Sequence, residues 1–125
     1  MKYNETLLDP PGPIVNVLVR SSAHTKPTLE FSGKIDTGAD ATVIPLALVD
    51  ELQLVPRFRM MTQGYDGVMS ERLGYEVDLV IEGCTIESVQ VIATPRATIL
   101  LGRDVLAHFI ITLDGKAQTF EMVDP

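Results

Sequence analysis

The stretch GKIDTGADATVIP, residues 33–45, sets two aspartates around a threonine, a glycine and an alanine, between a strand-like run and a short β-branched one. Asp36 has two readings there. In one, its carboxylate bonds its own backbone in an Asx-turn while Gly38 supplies a permissive dihedral, and the loop is only a turn. In the other, Asp36 is a buried carboxylate built for proton transfer. The segments on either side have to decide between them.

Upstream, TLEFSGKI (28–35) predicts a strand that returns antiparallel to IVNVLVR (14–20), whose apolar residues alternate with polar ones. It delivers the chain directly into Asp36. Pro10, Pro11 and Pro13 with Gly12 make residues 1–12 an extended arm, so the domain is read as residues 13–125. Downstream, TVIP (42–45) is a short strand and LALVDELQL (46–54) has helical spacing for about two turns. FRMMTQ and VMSERLGYEVDLVIEG form two arms around the glycine-bearing tip GYDG, which predicts a projecting hairpin. Tyr75, Val77, Leu79 and Ile81 alternate along its second arm.

After a turn at Glu82-Gly83, CTIESVQVIA (84–93) is a strand, and the apolar triplet ILL (99–101) reads as a strand buried on both faces. Val105, Leu106 and Phe109 fall at helical spacing. The ending IITLDGKAQTFEM predicts a hairpin with Asp114-Gly115 at its turn. Many short strands with one or two brief helices make the fold class all-β in the main, a small closed or partly closed barrel.

Composition narrows the function classes. The 125 residues, 46% of them hydrophobic, suffice for one core and not for a two-lobed enzyme. A net charge of −7 disfavours nucleic acid and anionic membranes as partners. No window approaches a membrane span, and MKYNETLLDPPGP lacks a basic segment leading into a long apolar run, so a cytoplasmic location is the expectation. One cysteine and two histidines build neither a disulfide nor a structural zinc cluster, and no metal or cofactor is expected. Neither His24 nor His108 stands beside a nucleophile signature, the serines are scattered, and Cys84 has no adjacent cation to lower its pKa.

Arg103 is a puzzle, because it opens a predicted helix where the macrodipole disfavours a cation. Either Asp40 pairs with it and pins the loop after Asp36 to the helix, or Arg103 extends into water and Asp104 meets the dipole.

A D-T-G triplet alone arises readily by chance, but here three motifs occur in order. IDTGADATVIP, QGYDGV and ILLGRDVL resemble the active-site loop, flap and helix-entry motifs of the retropepsin-like aspartic proteases, which include retroviral proteases and single-domain bacterial relatives. The likeness runs from Pro13 to Leu113 and implies an acid-protease barrel with a flap. It implies Asp36 as the catalytic aspartate, with Thr37 bonding across to a partner loop and Gly38 contacting substrate through its backbone. Asp40 would bind substrate main chain and pair with Arg103. Gly64, Tyr65, Asp66 and Gly67 fall at the flap tip, and Thr98 and Leu100 where pockets flank the scissile bond. The sequence departs from retroviral members in having the uncharged Gly12-Pro13 where many carry an arginine, Tyr65 and Asp66 at the flap tip, and an extra C-terminal hairpin.

Chemistry adds a requirement of its own. Peptide hydrolysis without a metal or covalent intermediate needs one group to activate water and another to protonate the carbonyl oxygen. The chain has a single D-T-G, so a second Asp36 has to come from another copy in a two-fold homodimer. The expected substrate is an extended peptide or protein chain lying as an added strand under the flap. The rival reading is a protease-like fold kept as a peptide-binding or dimerisation module with little or no turnover.

Overall fold

A computed structural model describes residues 1–23, 27–64 and 66–125; His24 and Tyr65, singled out above, lie outside them. In chain order the elements are β1 (Ile14–Ser21), β2 (Leu29–Ile35), β3 (Val43–Pro45), α1 (Leu46–Glu51), β4 (Phe58–Gln63), β5 (Met69–Ile81) and β6 (Cys84–Thr94). They continue with β7 (Ile99–Leu101), α2 (Arg103–Leu106), β8 (Ile110–Asp114) and β9 (Thr119–Val123).

Alternation decides which side of each strand enters the core. Val15, Val17 and Val19 of β1 are buried, as are Tyr75, Val77, Leu79 and Ile81 of β5. Each fully buried aliphatic side chain contributes up to about 1.5–3 kcal/mol. Six strands in the order β1-β2-β7-β3-β6-β5 close into a barrel through a further β1–β5 pairing. Closure removes the open edges that such short strands would otherwise present. Beyond β5, β4 pairs only with that strand's first half, from Phe58↔Gly74 to Gln63↔Met69, and so projects as a hairpin.

The tight turn between β5 and β6 has positive φ at both Glu82 (49°) and Gly83 (76°), the conformation that suits the twist of a two-residue hairpin. Further along this pair, the register shifts between Val77 and Leu79, and Ser88 opposite has φ 53°. Asp78 lies on the outer face between the core residues Val77 and Leu79 yet is only 3% exposed, because it accepts from the N–H of the bulged Ser88 at 2.9 Å and from the Arg20 Nε at 3.2 Å. Alternation alone does not reveal that contact.

Three local expectations change. The first helix stops at Glu51 because Leu52 caps it and Gln53 takes φ 50°, so Leu54 lies beyond it. The last hairpin turns over residues 115–118 rather than at Asp114-Gly115 alone, since Asp114 Oδ1 accepts the Ala117 N–H at 2.9 Å and Gln118 adopts φ 55°. In β7, Ile99 and Leu101 are fully buried but Leu100, on the other face, is half-buried. The triplet is thus covered fully on one face only.

Residues 1–12 do not stand away from the body. Lys2 bridges to Thr119, Asn4 to Gly12, and the Tyr3 ring lies 6.3 Å from that of Phe120, which is 1% exposed.

Candidate active site

The site follows from a parallel pairing. β2 and β7 run side by side with Gly33↔Ile99 and Ile35↔Leu101 in register, so both strands end at the same rim of the barrel. Asp36 is the first residue past β2, and its N–H donates to the Leu101 carbonyl at 3.0 Å. One step further along the other strand come Gly102 and Arg103. Residues 60 or more apart in sequence are thereby set together.

Asp36 Oδ1 accepts the Gly38 N–H at 2.9 Å, which is the Asx-turn, while its backbone carbonyl accepts the Ala39 N–H at 3.2 Å. The turn reading and the catalytic reading are therefore compatible, because Oδ2 has no hydrogen bond among the described residues. Asp36 is half-buried rather than buried, since its loop stands at the open end of the barrel with Thr37 and Gly38 exposed.

Behind this loop lies a polar clasp. Thr42, with no exposure, donates its hydroxyl to Asp104 Oδ1 at 2.8 Å and accepts the Gly102 N–H at 3.1 Å. Asp104 Oδ2 also takes the Thr42 N–H at 3.2 Å, and Oδ1 takes the Val105 N–H at 2.8 Å. Gly102 has to be glycine: a Cβ there would come within 2.6 Å of the Ala41 backbone. The Arg103 N–H reaches the Ala39 carbonyl at 2.8 Å and closes the contact.

The Arg103 side chain pairs with Asp40, and its second guanidinium nitrogen reaches the Thr37 carbonyl at 3.5 Å. Arg103 bonds Asp40 rather than merely extending into water, and Asp104 meets the start of the helix. Thr42 and Asp104 were not recognised as site residues in the sequence. The available signal was a threonine six residues after Asp36 and an aspartate directly after Arg103.

The hairpin formed by β4 and β5 carries Gly64, Asp66 and Gly67 at its tip. The Gly64 carbonyl accepts the Gly67 N–H at 3.0 Å, Gly67 takes φ 79°, and Asp66 Oδ1 accepts the Val68 N–H at 3.0 Å. At its base the Phe58 ring covers Gly74 so closely that an added Cβ would lie 2.1 Å from it. Among the described residues no hydrogen bond joins this tip to the Asp36 loop. Thr98, just before β7, and Leu100, within it, are half-buried, and Arg96 Nε donates to the Thr98 carbonyl at 2.6 Å. A groove of about 450 Å³ runs past Asp40, Ala41, Met60, Glu87 and His108.

The half-buried Cys84 is remote in role from this chemistry. Burial, and then hydrogen bonding and charge from Asp124, push its thiol above the ordinary cysteine range. Among the described residues no three His, Cys, Asp or Glu side chains are grouped to hold a metal ion. No helix among them is long and apolar enough to cross a membrane.

The family model described as aspartyl protease matches residues 27–105. No curated protein matches the chain by sequence. Among solved structures, the solution structure of simian foamy virus (mac) protease matches with a TM-score of 0.58 at 20% identity, over 76% of this chain and 92% of that one. EIAV protease in complex with the inhibitor HBY-793 matches with a TM-score of 0.59 at 22% identity, over 86% of this chain and 92% of that one. At these identities the structures speak for the fold, and the matched residues contain the Asp36 loop, the flap and the start of α2.

Proposed function

This chain belongs to the aspartyl protease family, with a retropepsin-like fold, and from that premise we propose that it is an endopeptidase that cuts extended polypeptides as a homodimer. The observation that carries the reading is the Asp36 carboxylate. It is held at the barrel rim by Leu101 and Gly38, with one oxygen uncommitted, in a chain that has only one such loop.

Two copies of Asp36 close to a common axis cannot both ionise comfortably, so the pair keeps one proton. The ionised member takes a proton from water as the water oxygen attacks the scissile carbonyl carbon. Its twin donates its own proton to the carbonyl oxygen, and a tetrahedral diol forms. Proton transfer to the amide nitrogen then lets the C–N bond break, yielding a carboxylic acid and an amine. No cofactor enters this scheme.

Around the dyad, Gly38 and Asp40 contact substrate backbone, and Gly64, Tyr65, Asp66 and Gly67 close over the peptide as the flap. Thr98 and Leu100 border the side chains flanking the cut. Asp40 is held for its part by Arg103. The peptide lies extended, bonding as an added strand with alternate side chains entering pockets.

The test is incubation with an unfolded polypeptide over acidic to neutral pH, with products identified by mass spectrometry. Cleavage blocked by a statine-type inhibitor and lost in Asp36→Asn is the expected result. Peptide binding without products would replace the enzyme with a binding module.

A further inference from the structure

The first strand of the flap is the last in its sheet, since β4 pairs with β5 alone. At the tip the Gly64 N–H donates to the Val68 carbonyl at 3.1 Å, and the next pair inward sets Gln63 opposite Met69. Hydrogen-bonded and non-hydrogen-bonded pairs alternate along an antiparallel ladder. Phe58, Met60 and Thr62 therefore bond β5, while Arg59, Met61 and Gln63 turn their N–H and C=O groups to the open edge. Among the described residues, those outward groups have no hydrogen-bond partner.

Charge sets this edge apart from the rest of the protein. From Pro56 to Gly74, Arg57, Arg59 and Arg72 stand against only Asp66 and Glu71, so the segment is positive in a chain whose net charge is −7. Arg57 and Arg72 are exposed and have no carboxylate partner among the described residues. Arg59 meets Glu71 at 3.1 Å, but their side chains are 75% and 51% exposed, so the pair is weak and open to exchange. At the end of the strand away from the tip, Arg57 and Arg59 border a cleft of about 460 Å³ with Pro56, Phe58 and Leu73. None of these five residues belongs to the Asp36 loop or to the flap tip.

Guanidinium groups on an open edge oppose pairing with an apolar or basic strand. An acidic strand meets the opposite balance. If it takes the free N–H and C=O groups of Arg59 and Met61, every second side chain falls beside the arginines, where carboxylates make charge-assisted hydrogen bonds. We infer that the base of the flap, from Arg57 to Met61, is a docking edge for an extended acidic segment of a polypeptide, which joins the sheet beside β4 with its carboxylates on Arg57 and Arg59. The binding stands apart from the protease reading. Its use rests on that reading: a substrate is held by an acidic stretch at a distance from the bond being cut.

The probe is a fluorescein-labelled peptide alternating Glu and Val, titrated by anisotropy into the Asp36→Asn protein so that no cleavage intervenes. Saturable binding that weakens with salt is expected. Arg57→Glu combined with Arg59→Glu should raise the dissociation constant about tenfold or more, with unchanged far-ultraviolet circular dichroism, and a peptide alternating Lys and Val should bind that variant instead. Should the double variant misfold, Arg57→Gln and Arg59→Gln serve singly, each weakening the complex. Amide exchange needs no further variant, since the peptide should protect Arg59 and Met61 and leave Gly38 and Asp40 as they were.

Absence of binding, or affinity that the arginine variants leave unchanged, overturns the docking edge and leaves the protease reading intact. Protection confined to Gly38 and Asp40 does the same, because the peptide then lies in the catalytic groove. A single-stranded oligonucleotide that binds as tightly as the peptide and depends equally on Arg57 and Arg59 also overturns it, since charge alone then accounts for the affinity. If the peptide binds at the edge while the unaltered protein cuts no polypeptide, the docking edge holds and the protease reading fails.

Discussion

The Thr42 hydroxyl donates a hydrogen bond to Asp104 Oδ1, 62 residues further along the chain, across 2.8 Å. The same hydroxyl accepts the Gly102 N–H, so one fully buried side chain satisfies both the loop after Asp36 and the entry to α2. The two segments that form the candidate site are held from behind.

Thr42→Val retains the shape and removes the hydroxyl, which leaves the Gly102 N–H and an Asp104 oxygen short of a partner. A loss of about 1–3 kcal/mol is expected in denaturant unfolding. Because the displaced loop carries Asp36, kcat for peptide cleavage should fall as well. Unchanged stability would mean that water replaces the hydroxyl without cost.

Arg103 and Asp40 make a different kind of pair. Their side chains are 60% and 86% exposed, so the ion pair itself stabilises by no more than about 1 kcal/mol. A double-mutant cycle with Asp40→Asn and Arg103→Gln should show coupling of that size in unfolding, declining with salt. In cleavage assays both variants should raise KM, since Asp40 is assigned to the substrate backbone. A coupling several times larger would indicate that dimerisation buries the pair.

The shared proton sets the pH dependence. In the two-copy mechanism proposed above, a pair with both carboxyls protonated has no base, and a pair with both ionised has no acid. A bell-shaped kcat/KM profile is therefore expected. Measuring kcat/KM from acidic to neutral pH checks it.

Cys84 offers a prediction away from the site. With its thiol pushed up by burial and by Asp124, it stays protonated at neutral pH, and iodoacetamide should label it more slowly than a peptide thiol. Asp124→Asn should speed the labelling. Modification of Cys84 should leave cleavage unaffected.

Much of this was legible in the chain order. Alternation along Val15–Val19 and Tyr75–Ile81 identified the buried faces, and the three ordered motifs located Asp36, the flap and Arg103. Other features stayed hidden because their partners are distant. The burial of Asp78 on the outer face depends on the bulge at Ser88, and the role of Thr42 exists only once Asp104 lies against it. Helix α1 ends at Glu51 because Gln53 takes a left-handed conformation that helical spacing does not signal.

By itself the sequence determined which residues are candidates for the chemistry, through three ordered motifs, and which faces are apolar, because periodicity and turn residues act over a few positions. Tertiary structure decided what those residues touch. Parallel pairing of β2 with β7 brings Asp36 to Leu101 and Arg103 to Asp40, and the Met1–Phe120 bonds hold the first residues on β9. Such contacts depend on strand order and register, which are settled only when the whole barrel closes and its core is buried.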